Sequence, residues 1–112
     1  MFRALAFWLL AGLLLLPAAV AANPPARAFS GVIGDTMCGA HHQMAGMSAA
    51  ECTRKCVAMG GHFALLAGRH VYRLEAGSHA AAIGKLAGKR AVVRGTLHDG
   101  AIEVVSIAAA AS

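Results

Sequence analysis

The chain has 112 residues, ten lysines and arginines against five acids, a net charge of +5 with its six histidines neutral, and a hydrophobic content of 58%. This length holds one small domain and excludes a multidomain enzyme. The apolar excess lies largely in alanines and in the first 22 residues, and the basic residues are scattered, with Arg54-Lys55 and Lys89-Arg90 the only adjacent pairs, so the charge reads as solvated surface.

Met1 to Arg3 make a short positive start, Ala4 to Leu16 an apolar run ending in four leucines, and Pro17 a break. Small residues follow, so that Ala19-Val20-Ala21 or Val20-Ala21-Ala22 falls where a signal peptidase reads. The pattern predicts a cleaved signal peptide over 1–22 and a periplasmic or secreted mature chain of about 90 residues. A retained anchor competes, because Ala4 to Ala22 nearly spans a bilayer. Pro17 and the small-residue end argue against it, and no integral membrane segment is expected after cleavage. The first cysteine is Cys38, too far along for lipid attachment at a new N-terminus.

Residues 23–28 read as an extended lead-in and 29–107 as a single domain. Phe29, Val32 and Ile33 form a strand pattern. Ser48-Ala49-Ala50-Glu51 is a capping box, which starts a helix that runs to about Met59 and stops at Gly60-Gly61. His62 to Ala67 and His70 to Leu74 are strand-like runs joined by Gly68-Arg69, a tight turn with glycine first. Ser78 is placed to cap a second short helix, with Ile83 and Leu86 on one face and Gly88 at its end. Ala91 to Leu97 and Ala101 to Ile107 flank Asp99-Gly100, a strong hairpin signal. The tail 108–112 carries no packing pattern and is expected to fray.

The order predicts a mainly β protein with two short helices. We expect a small OB-like five-stranded barrel with a cysteine-bearing helix inserted between strands 1 and 2. An open α+β sheet is the alternative.

Chemistry concentrates in residues 35–62, DTMCGAHHQMAGMSAAECTRKCVAMGGH, which hold all three cysteines, three of the six histidines and every methionine but Met1. Thiolates and thioethers are ligands for Cu(I), and mixed cysteine and imidazole sets suit zinc or copper. Cys52 and Cys56 are four apart, so a helix presents both from one face. Cys38 with His41 or His42 can complete a site, with Met44 and Met47 as weaker donors and Asp35 as a harder one. The C-x-x-x-C with a remote histidine resembles the copper-handling arrangement of exported thioredoxin-like assembly factors in its chemistry alone, since no βαβ pattern is present.

Structural readings compete at each position. In an oxidising compartment Cys38 is expected to bridge to Cys52 or Cys56, which leaves one thiol over. Cys52, Cys56 and Met59 recur at i, i+4, i+7, so Met59 reads as core. Met37 reads as packed beside the first strand. His62, His70, His79 and His98 read as surface residues.

Other chemistry finds no pattern. C-x-x-C-H, a C-x-x-C pair and a phosphate-binding G-x-x-x-x-G-K-[ST] are absent, and the five acids lie in unrelated elements, so no enzyme is expected. Nucleic-acid binding needs a basic groove with stacking aromatics. Beyond the leader only Phe29, Phe63 and Tyr72 are aromatic, at positions that look internal, and no nucleic-acid partner is expected.

With GVIGDTMCGAHH, ECTRKCVAMGGHFALL, VYRL and KLAGKRAVVRGTLHDGAIEVVSI, the chain resembles, over most of residues 30 to 107, a family of small exported bacterial proteins of unknown function. The resemblance implies a secreted single domain with an M-C-G-x-x-H element, here Met37, Cys38, Gly39 and His42, a C-x-x-x-C helix at Cys52 and Cys56, and an OB-like strand set. The leading expectation is an exported, non-enzymatic domain that binds copper, or else zinc, through Cys38, His41, His42, Cys52 and Cys56. The rival is a disulfide-stapled envelope module that contacts a protein or polysaccharide.

Overall fold

The computed structural model describes residues 12, 15–17, 24–39 and 45–111. In chain order the elements are β1 (Arg27–Asp35), α1 (Ala49–Ala58), β2 (Phe63–Ala67), β3 (His70–Glu75), a 3-10 turn at Gly77–His79 leading into α2 (Ala80–Lys85), β4 (Arg90–His98) and β5 (Ala101–Ala109). The protein is mainly β with two short helices, and the five strands close into a ring in the order β1-β2-β3-β5-β4. Arg27 to Val32 of β1 pair with β4, and Val32 to Asp35 pair with β2, so β1 changes partner at Val32. Among the described strands only β3 and β5 pair in parallel, through Arg73 to Glu75. A ring in this order, with a helix between the third and fourth strands, is the OB arrangement, and α1 fills the connection between β1 and β2.

Alternation places one side of each strand inside. Phe29 and Ile33 of β1, Leu65 of β2, Leu74 of β3, Val93 of β4 and Ile102 and Val104 of β5 form the core. Ile83 of α2 joins them, fully buried, so this short helix is held by one apolar anchor against the sheet rather than by its own length. Burying a side chain of that size stabilises by roughly 1.5–3 kcal/mol. The turns follow their residues: Asp99 and Gly100 both adopt positive φ, at 48° and 77°, as a two-residue hairpin of the primed type requires.

Helix α1 begins as its sequence dictates. The Ser48 hydroxyl accepts from the Glu51 amide at 3.1 Å, and the Glu51 carboxylate accepts from the Ser48 amide at 3.3 Å; such a cap contributes about 1 kcal/mol. It ends in a Schellman motif: Gly61 N–H donates to the Cys56 carbonyl at 2.9 Å and Gly60 N–H to that of Val57 at 3.1 Å, with Gly60 at φ 105°. Arg54 Nε donates to the Gly84 carbonyl at 3.1 Å, which ties α1 to α2.

Several expectations are corrected. β1 starts at Arg27, so Arg27 and Ala28 are paired strand rather than lead-in. Ala108 and Ala109 pair with Val92 and Ala91 instead of fraying, because β4 offers ladder groups there and backbone pairing needs no apolar side chain. Met59 is 54% exposed: the helix stops at Ala58, and Met59 as its C-cap leaves the i, i+4, i+7 stripe. Met37 is likewise exposed, lying over Gly61. Ser78 caps nothing; it sits inside the 3-10 turn, and α2 starts at Ala80 without a side-chain cap. Gly88 lies beyond the end of α2, where a Cβ would come within 2.8 Å of the Ala50 amide nitrogen, so it lets α1 approach. Among the described residues no helix is long and apolar enough to cross a membrane.

Candidate metal centre

The loop that carries Cys38 is fixed from the end of β1. Asp35, only 2% exposed, accepts hydrogen bonds at Oδ1 from the amides of Met37 and Cys38, both at 2.8 Å. The Gly39 amide donates to the Asp35 carbonyl at 3.1 Å, closing the turn. Across the turn, Thr36 N–H donates to the His62 carbonyl at 2.9 Å, and Thr36 Oγ1 accepts from His62 N–H at 3.1 Å. These bonds set the backbone at Cys38 against the start of β2.

Cys52 and Cys56 occupy successive turns of the buried face of α1, with exposures of 0% and 1%. The loop brings Cys38 Sγ to 3.6 Å from Cys52 Sγ and 3.3 Å from Cys56 Sγ, and all three sulfurs lie within 4.8 Å of one another. Among the described residues this is the one cluster of three or more histidine, cysteine or acidic side chains with metal-ligand spacing. The bridge expected from Cys38 to Cys52 or Cys56 is not formed. Cys38 is in contact with both helix sulfurs at distances well beyond the 2.05 Å or so of a covalent bond.

The sequence therefore placed the three cysteines together correctly. His41, His42 and Met44 lie outside the described residues, and with His42 so does the last member of the M-C-G-x-x-H element. Met47 is half-buried beside the capping serine. Asp35 anchors the loop through Oδ1, which serves two amides, and the ligand cluster consists of the three cysteines without it. An acid three residues before Cys38, at the end of a strand, is an Asx-turn signal that reveals this role.

Proton affinity at Cys56 is high. The Cys56 thiol is pushed up to about 12 from an ordinary 9.0, first by its hydrogen bond with Cys38, then by burial and by the nearby Asp35, Cys38 and Cys52. The folded protein thus holds this proton more tightly than the unfolded chain. That preference stabilises the reduced protein fully below pH 9 and is lost as pH rises through 9 towards 12. Urea midpoints of the reduced, metal-free protein should fall between pH 8.5 and 10.5, and Cys56→Ala should flatten the decline. Equal slopes for the two proteins would refute this assignment.

In comparisons with known proteins, no family model, no curated protein and no solved structure matches the chain.

Proposed function

We propose that this protein is an exported, non-enzymatic domain that binds a soft transition-metal ion, copper(I) first and zinc second, through the thiolates of Cys38, Cys52 and Cys56. The observation that carries this reading is the convergence of three sulfurs within 4.8 Å from a pinned loop and one helix face. Thiolates on a common ion at bonds of about 2.3 Å stand roughly 3.8–4.0 Å apart. The contacts of 3.3 and 3.6 Å need only slight expansion to meet that spacing. Three sulfurs suffice for copper(I), whereas zinc calls for a fourth ligand, for which His41 and His42 are the candidates along the chain. Ligation must displace protons, so affinity falls as pH falls. Export rests on the pattern of residues 1–22.

Anaerobic titration of reduced protein with copper(I), against a coloured chelator, tests the proposal. One ion per chain is expected. Cys38→Ser, which changes the half-buried member of the set, should weaken binding more than the 10–100-fold or so that loss of an outer-sphere partner costs. Unaltered uptake in both Cys38→Ser and Cys52→Ser would overturn the reading. The 3.3 Å contact between Cys38 and Cys56 favours one rival, a stapled envelope module that docks a protein or polysaccharide. Protein from an exporting host would then show one reactive thiol instead of three.

A further inference from the structure

A cleft of about 110 Å³ opens beside the sulfur cluster, walled by Val32, Asp35, Cys38, Ala49, Thr53 and Gly88 among others. Cys38 is the one cysteine in its wall, and Cys52 and Cys56, in contact with it, are closed to solvent. A larger cleft, about 450 Å³ between Val57, Phe63 and Leu74, contains no cysteine in its lining. The geometry points to the smaller cleft as the route by which the ion reaches the cluster, with Cys38 as the first thiolate it meets and Cys56 and Cys52 closing on it afterwards. This inference rests on the metal reading and adds to it a path and an order of ligation.

Size supports a bare or partly hydrated ion. At about 110 Å³ the cleft is well below the roughly 300–1,000 Å³ of a small-molecule pocket. Its composition fits as well. Within a mostly apolar lining, Asp35 and Thr53 place polar side chains beside Cys38, with the carboxylate held by two amides. Gly88, at φ 75° and in close approach to Ala50, keeps the opposite wall at backbone width.

The order follows from contacts already present. An ion on Cys38 Sγ has both helix sulfurs within 3.6 Å of its first ligand, so no backbone rearrangement is needed to pass from one to three ligands. Each thiol that ligates gives its proton to water, no electron moves, and a monovalent ion on three thiolates leaves a complex of charge −2.

The test separates rate from affinity. Ala49 is exposed at the mouth, in the first turn of α1, while Ala58 is exposed at the far end of the same helix, outside the cleft. Stopped-flow transfer of copper(I) from its bicinchoninate complex should slow at least about tenfold in Ala49→Trp, with the dissociation constant within about twofold of wild type. Ala49→Leu, a smaller plug that the helix start accepts readily, should give an intermediate rate. Ala58→Trp should load at the wild-type rate. Wild-type loading rates in both Ala49 variants, or slowing in Ala58→Trp equal to that in Ala49→Trp, would overturn the route while leaving the metal site intact. Absence of uptake by the wild-type protein would instead overturn the metal reading, and the route with it.

Discussion

Replacing Gly95 with alanine is expected to destabilise the domain by about 3 kcal/mol, because the new methyl meets backbone rather than a movable side chain. Gly95 lies on the inner face of β4, at the irregularity between Arg94 and Gly95 where β4 shifts register against β5. A Cβ there would collide with the Glu103 carbonyl oxygen and stand 2.7 Å from Cγ2 of Ile102, itself fully buried. Neither neighbour can yield without moving β5. Gly31 plays the same part in β1, where a Cβ would lie 2.5 Å from the Leu66 carbonyl oxygen, one residue before β1 changes partner. Five strands close into a ring only if they bend sharply, and inner-face glycines permit that close approach. A domain of this size is stable by roughly 5–15 kcal/mol, so the loss is a large share of the total. Gly84 supplies the contrast: it is helical, and its Cβ would meet only Cζ of Phe63 at 3.5 Å. Gly84→Ala should leave stability unchanged or raise it by up to about 1 kcal/mol. Urea unfolding of the three proteins decides the matter, and a Gly95→Ala midpoint equal to wild type would refute the close-packing argument.

The features legible in the sequence are those written locally. The capping box at Ser48 and Glu51, the stop at Gly60-Gly61 and the Asp99-Gly100 turn each depend on residues within a few positions of one another. The spacing of Cys52 and Cys56 was enough to put both on one face of α1. What escaped the reading depends on partners distant in the chain. Gly88 looks like a helix end, but its conformation serves the approach of Ala50, which nothing near residue 88 announces. Ala108 and Ala109 look like a loose tail because their side chains carry no signal, and their order comes from ladder bonds to β4. Met59 fits a helical stripe until the helix ends one residue earlier. The clustering of Cys38 with the helix cysteines was anticipated from residue type, whereas the means of holding it there, the Asp35 turn and the Thr36–His62 clamp, emerges only once β1 and β2 are adjacent.

Asp35 is where fold and site meet, and its two substitutions should separate their contributions. Asp35→Ala removes the acceptor for the Met37 and Cys38 amides, each bonded at 2.8 Å to Oδ1. A part-buried donor left without a partner costs about 1–3 kcal/mol, so a loss of roughly 2–4 kcal/mol is expected for the pair, allowing for rehydration of the exposed side of the turn. With its anchor gone, the Cys38 loop no longer holds its sulfur against Cys52 and Cys56, and copper(I) affinity should fall about 10–100-fold, as it does when a group that orients a ligand is lost. Asp35→Asn keeps an oxygen at the Oδ1 position for both amides, removes the charge and places an NH2 group where Oδ2 stood. That charge opposes ionisation of Cys56 and would oppose the net negative cluster formed on three thiolates. Asp35→Asn should therefore keep most of the stability and bind copper(I) at least as tightly as wild type, with the Cys56 thiol ionising at lower pH. Stability from urea unfolding and affinity from chelator competition, measured on both variants, give four numbers that must follow this pattern. An asparagine variant as weak as the alanine variant would show that charge, rather than the turn, holds Cys38 in the site.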